Sequence, residues 1–340
     1  MLTRIQLILL SALLLHVPSI GLAVAAAPVL PTEPTDTPFV PKDPPAKKPV
    51  VNAVTSVAYS PDGKSYAVGG ADFRIFVFKA ATGRLVTTLK GHGAPITDLA
   101  YDRTGKVLAS ASRDSTIRLW NPRTGKQLRV LSGHSQAVLS VAFNPNGRRL
   151  ISGGEDSRAL LWNATNGRLI RPIAALGNFV TAVTYSARGK IAAGTADARI
   201  RVWDSDQAKS ARTLRGHRGA VVSLSFSPAG DTLASGSADK TIRLWKAATG
   251  KQRKVLTGSA TKVADVAFTR NGSKLLTGSA DGTVRAWNAN NGSLAKKVSR
   301  PGTAKAKTTI AAVALDPDGG RVVQGGPGAL VETLSTATGR

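Results

Sequence analysis

The 340-residue chain contains no cysteine. Disulfides, a thiolate nucleophile and thiolate-ligated zinc are therefore excluded. Histidine is almost as scarce, with four in all, and His16 falls in the apolar N-terminal run. The other three, His92, His134 and His217, recur at one position of a repeat, so no metal-ligating constellation is left for them to build. Acidic residues are few: 20 Asp and Glu face 46 Lys and Arg, for a formal charge of +26. An excess of that size attracts polyanions of every kind and identifies none of them. Aromatic residues make up only 5% of the chain. Single-stranded nucleic acids are usually held by basic grooves interleaved with stacking aromatics, so nucleic acid is disfavoured as a partner. No glycine-rich phosphate loop stands before a helical pattern, because the 34 glycines fall mostly at repeat turns.

What is present begins with an export signal. In MLTRIQLILLSALLLHVPSIGLAVAAAP, Arg4 precedes a Leu-rich core that ends near Leu15. Pro18 and Gly21 interrupt it, and Ala23-Val24-Ala25 is an A-x-A cleavage site. Residues 1–25 read as a signal peptide. The alternative is an uncleaved anchor, since no charge appears between Arg4 and Glu33. Both readings export the rest of the chain. It is periplasmic or extracellular in the first case, with no membrane span after cleavage, and membrane-tethered in the second. Residues 26–50 hold eight prolines and read as a stiff, extended linker.

From Val51 onward the chain repeats. GHGAPITDLAYDRTGKVLASASRDSTIRLW (residues 91–120) and GHRGAVVSLSFSPAGDTLASGSADKTIRLW (residues 216–245) match nearly residue for residue. Asp72, Asp114, Asp156, Asp197, Asp239 and Asp281 follow one another at intervals of 42, 42, 41, 42 and 42. Each stands six residues before Phe78, Trp120, Trp162, Trp203, Trp245 or Trp287. Residues 51–340 therefore hold about seven units. In the seventh, Gly328 and Leu334 occupy the Asp and Trp positions. Within a unit, short alternating runs bounded by turn residues predict three strands, and the stretch before each Gly-His predicts a fourth. One small sheet cannot bury both faces, whereas copies stacked in a ring can.

The Gly-His pairs, the Ser-Pro-Asp-Gly turns, LASGSxD and IRLW, in that order and at that period, resemble the WD-repeat family, here as an exported, bacterial-type member. The resemblance covers residues 51–340. It implies an all-β, seven-bladed WD40 β-propeller of four-stranded antiparallel blades, with the last blade degenerate or weakly closed. Such rings are usually closed by an N-terminal strand. Upstream of Val54 the matching register is DPPAKK, poor strand material. Closure is therefore weak, shifted toward KPVVNAV, or absent, leaving three strands.

The resemblance also assigns the histidines. In the family the Gly-His histidine bonds the Asp of its unit, which is tied to a strand hydroxyl and to the Trp ring N–H. Carried over, His92, Asp114 and Trp120 belong together with Ser110 or Ser112. His134, Asp156 and Trp162 belong with Ser152, and His217, Asp239 and Trp245 with Ser235 or Ser237. A Ser-His-Asp triad repeated three times at the blade period reads as scaffolding, so no catalytic residue, metal or cofactor is assigned. Tyr59, Tyr101, Phe143, Tyr185, Phe226 and Phe268 share one first-strand position and read as core.

Two surfaces remain. Lys64, Lys106, Arg148, Arg149 and Lys190 fall between first and second strands, and Arg84, Lys126, Arg168, Lys209 and Lys251 follow third strands. In the family both turn types lie on one face. That predicts a positive ring, read either as a solvated surface or as a site for anionic polymer or lipid head groups. On the opposite face, where the family most often holds protein partners, only Arg113 and Glu155 are distinctive among the residues that precede each blade Asp. The function expected is an exported, non-catalytic protein-interaction scaffold with an unidentified protein partner. A polyanion- or envelope-binding module is the alternative.

Overall fold

Alternation decides the strands. In the fifth unit Val221–Phe226, Thr232–Ser237, Ile242–Lys246 and Gln252–Leu256 pair in that order as an antiparallel sheet. Their β-branched and aromatic residues fit a pleated surface. The turns that reverse the chain place Gly230 at φ 71° and Gly250 at φ 73°, where a Cβ would be strained. The computed structural model describes residues 53–206, 209–281, 283–298, 312–316, 320–325 and 332–335. The chain divides into Met1–Pro45 and Ala46–Arg340, and all described residues lie in the second unit. The signal peptide expected over 1–25 and the linker expected over 26–50 lie outside the described residues.

Six sheets share this plan, and we number them 1 to 6. They begin at Val54–Tyr59, Ile96–Tyr101, Val138–Phe143, Val180–Tyr185, Val221–Phe226 and Val263–Phe268. A seventh sheet has three strands among the described residues: Ala312–Leu315, Arg321–Gly325 and Glu332–Ser335. The expectation of seven four-stranded blades is thereby corrected: among the described residues six sheets have four strands and the last has three. The reason lies in the local sequence. In this unit Gly328 and Leu334 replace the Asp and the Trp that mark each full unit.

The first strand of each sheet packs beside the first strand of the next, and sheet 7 touches both sheet 6 and sheet 1. Val54 and Val57 of sheet 1 share one apolar cluster with Ala312, Ala314 and Val323 of sheet 7. Closure thus rests on apolar packing between sheets. The first strands surround a central cavity of about 320 Å³ whose wall includes residues of all seven sheets.

The core lies between successive sheets. One cluster joins Ala109, Ile117, Leu119 and Leu131 of sheet 2 to Val138, Val141, Leu150 and Trp162 of sheet 3. Each Val, Leu or Ile among them contributes about 1.5–3 kcal/mol on burial. Close approach requires glycine at the contact. A Cβ on Gly153 would stand 2.4 Å from Val180 Cγ1, and Gly194 and Gly236 meet Val221 and Val263 in the same way. Of the first-strand aromatics, Phe226 is buried, while Tyr59, Tyr101, Phe143, Tyr185 and Phe268 are partly buried against apolar clusters.

Candidate functional site

The histidines form a bonded chain rather than a hub around the aspartate. In sheet 5, Trp245 Nε1 donates to Ser235 Oγ at 2.8 Å, Ser235 Oγ lies 2.7 Å from His217 Nε2, and His217 Nδ1 lies 2.8 Å from Asp239 Oδ2. Sheet 2 repeats this through Trp120, Ser110, His92 and Asp114 at 2.8, 2.7 and 2.7 Å. Sheet 3 does so through Trp162, Ser152, His134 and Asp156, with the closer His134–Asp156 contact at 2.9 Å. The indole N–H therefore bonds the serine, not the aspartate as the family pattern led us to expect. The serine that joins the chain is Ser110 rather than Ser112, and Ser235 rather than Ser237. Ser112 and Ser237 donate instead to the carbonyls of Ala94 and Gly219.

The order dictates the tautomer. A carboxylate only accepts, so Nδ1 carries the proton and donates to the Asp. Nε2 is then an acceptor for the serine hydroxyl, whose oxygen is free to accept from the indole. Burial pushes the pKa of His92, His134 and His217 down, against the opposite pull of the aspartates, so the rings stay neutral. Burial would raise the Asp114 carboxyl, but the Thr116 hydroxyl, the Gly93 N–H and His92 hold it down at about 2. The glycine of Gly-His leaves room for the ring, since a Cβ on Gly133 would stand 2.8 Å from Trp162 Cη2.

These Ser–His–Asp contacts have the distances of a hydrolytic triad. Ser110, Ser152 and Ser235 are each 0% exposed, and each oxygen is already held by an indole. No substrate can reach them. Among the described residues no group of three or more His, Cys, Asp or Glu could hold a metal ion. Where a unit lacks the histidine, arginine takes the aspartate. Arg74 pairs with Asp72, Arg199 with Asp197 and Arg285 with Asp281 at 2.5, 2.8 and 2.9 Å. The sequence reading missed this exchange. Arginine two residues after the Asp is its signal at sheets 1 and 4, but Arg158 carries the same signal beside His134 and so blurs it.

Around the central cavity a second polar set was also missed. Ser56, Asp98, Ser140, Ser223 and Asp265 stand at one first-strand position of sheets 1, 2, 3, 5 and 6, where sheet 4 has Ala182, and most reach across to the next sheet. Ser140 Oγ and Val141 N donate to Asp98 Oδ2, both at 2.9 Å. Ser223 Oγ donates to Asp265 Oδ1 at 2.6 Å, and Val313 N to its Oδ2 at 3.2 Å. Burial pushes Asp98 up to about 6 and raises Asp265 as well. Acid at a position that is serine in three other sheets was the available signal.

On the face of the second-to-third-strand turns, Arg113 Nη1 donates to Glu155 Oε1 at 3.2 Å across sheets 2 and 3. On the opposite face the two turn types sit side by side. Ala80 N donates to the Lys64 carbonyl at 2.8 Å and Ala164 N to that of Arg148 at 2.9 Å. Lys64, Arg84, Lys106, Lys126, Arg148, Arg168, Lys209 and Lys251 are exposed there. Lys190 is different: it pairs with Asp204, which also takes Arg212, while Arg149 pairs with Asp206. Among the described residues the ion pairs of this face therefore gather near sheet 4.

A family model described as the IFT122 first beta-propeller matches residues 137–326, more than half of the chain. A second, described as the WD domain, G-beta repeat, matches residues 50–79 and 83–121. No curated protein matches the chain.

Proposed function

The chain belongs to the WD-repeat propeller family, and we propose from that premise that it is a non-catalytic scaffold holding a protein partner on the face of the second-to-third-strand turns. WD-repeat propellers in general are interaction scaffolds rather than enzymes. The observation that carries the reading is Phe73. It is 40% exposed and held at φ 69°. A bulky side chain at positive φ costs roughly 1–2 kcal/mol. The matching positions hold Ser115, Ser157, Ala198 and Lys240, none of them aromatic. An exposed aromatic kept in a strained conformation suits a binding anchor. Phe179, 47% exposed, accepts a bond from Ala196 N at the same face of sheet 4. With Arg113 and Glu155 these residues follow one another through sheets 1 to 4.

On this reading residues 1–25 export the chain and residues 26–50 space the propeller from the envelope if the signal is retained. The test is affinity capture from envelope extract with residues 26–340, washed in rising salt. One protein should stay bound at high salt and be lost from the Phe73→Ala/Phe179→Ala double variant. Retention that salt abolishes in the wild type, or that survives both substitutions, would sink the reading.

A further inference from the structure

On the opposite face the turns of sheets 1 and 2 gather positive charge around a cleft. A cleft of about 480 Å³ opens between sheets 1 and 2 at the turns. Lys64, Lys79, Lys106 and Arg123 line it against one carboxylate, Asp62. Asp62 is already committed to its own turn. It accepts from Ser60 Oγ at 2.6 Å and from Lys64 N at 3.1 Å, and these bonds, the serine's first, lower its pKa and keep it ionised. The ion pairs of this face are made elsewhere, by Asp204 and Asp206. Among the described residues none of the four cations of the cleft has a carboxylate within ion-pair distance.

The repeat supplies its own comparison. The equivalent cleft one unit on, between sheets 2 and 3, is lined by Leu119, Leu128, Phe143, Ala164 and Thr165, and its one cation is Arg129. Nη1 of Arg129 donates to the Leu128 carbonyl at 2.6 Å. At the repeat positions of Lys79 and Arg123, that unit has Asn121 and Thr165. The fold therefore does not require cations at the Lys79 and Arg123 positions, whereas the repeat positions of Lys64 and Lys106 hold Lys106 and Arg148. Pro122 adds a local difference. It stands where Ala80 and Ala164 donate an N–H to the neighbouring turn, and proline has none to give.

We propose that this cleft binds a phosphate-bearing polyanion. Four cations against one committed carboxylate leave a charge that a monoanion would only partly neutralise. Lysine ammonium and arginine guanidinium groups are the side chains that suit closely spaced phosphate oxygens. Val77, Val86 and Pro122 offer the ligand no hydrogen bonds, and no aromatic lines the cleft to stack a base. Recognition thus rests on the phosphate charges, whether they come from free oligophosphate or from a phospholipid head group.

The experiment is calorimetric titration of the whole chain with tripolyphosphate, at low and at moderate salt. One saturable site is expected, weakening as salt rises. Lys79→Asn/Arg123→Thr installs the residues of the neighbouring unit and should weaken binding at least about tenfold. Lys254→Ser/Lys297→Ser removes the same charge from exposed outer strands and should change affinity less than about twofold. Equal weakening in both variants, or no saturable site, overturns the proposal. Vesicles of anionic phospholipid distinguish the source. Vesicle binding that tripolyphosphate displaces and the cleft variant loses points to a head group. Tripolyphosphate binding without it points to a free oligophosphate.

Discussion

Replacing Ser235 by alanine tests the bonded chain most directly. The hydroxyl is 0% exposed and serves two buried groups, the indole N–H of Trp245 at 2.8 Å and Nε2 of His217 at 2.7 Å. Both would be left without a partner. A buried polar group so stranded costs about 1–3 kcal/mol, and partial relaxation brings the pair to about 3 kcal/mol in total. With a guanidinium m-value of about 6 kcal/mol/M, the unfolding midpoint should fall by about 0.5 M. Far-ultraviolet circular dichroism reads this without using tryptophan emission. Trp245→Phe removes the indole donor. In that background Ser235→Ala should cost about 1 kcal/mol less, because one stranded group is already gone. A midpoint equal to the wild type, or strictly additive effects, would refute the chain as drawn.

The pH dependence has two opposed parts. His92, His134 and His217 have depressed folded pKa values, so the unfolded chain alone takes up their protons and stability falls as pH drops through about 6.5. Asp98 has the reverse sign. Its folded pKa of about 6 exceeds the unfolded value near 4, so it lowers stability as pH rises through that window. Partial access from the central cavity moderates the effect to about 1–2 kcal/mol. Asp98→Asn should therefore gain that much on the wild type between pH 4 and pH 7 in paired denaturant melts; parallel curves would contradict it. Gly153→Ala should cost about 1–3 kcal/mol, since its Cβ would overlap Val180, and an unchanged melting temperature would mean that sheets 3 and 4 can separate freely.

Much of the propeller could be read from residues alone. A period of about 42 residues, Asp six before Trp, and apolar alternation between Gly-containing turns leave a stacked ring of small sheets as the arrangement that buries both faces of each unit. The grouping of His217, Asp239 and Trp245 is legible for the same reason: they keep fixed offsets in every full copy. Strand content near the ends was harder. Where Gly328 and Leu334 replace Asp and Trp, the pattern that announces a complete blade is gone, and only three strands stand in sheet 7 among the described residues.

The sequence by itself determined the unit, its period and the residues each unit repeats, because these are set by near neighbours along the chain. The tertiary structure alone decided which atoms meet. That Ser235 rather than Ser237 joins His217 follows from alternation and sheet register: Trp245 stands opposite Leu233, and of the two serines on that strand face Ser235 is the nearer to it along the strand and accepts from its indole. That Asp98 is clasped by Ser140 and Val141, 42 and 43 residues away, depends on how one sheet packs on the next. The four cations of the cleft come from three separate turns and a strand end, and only the packing of sheet 1 on sheet 2 makes them neighbours. Contacts between units are spaced by a whole repeat in sequence, so no local pattern announces them.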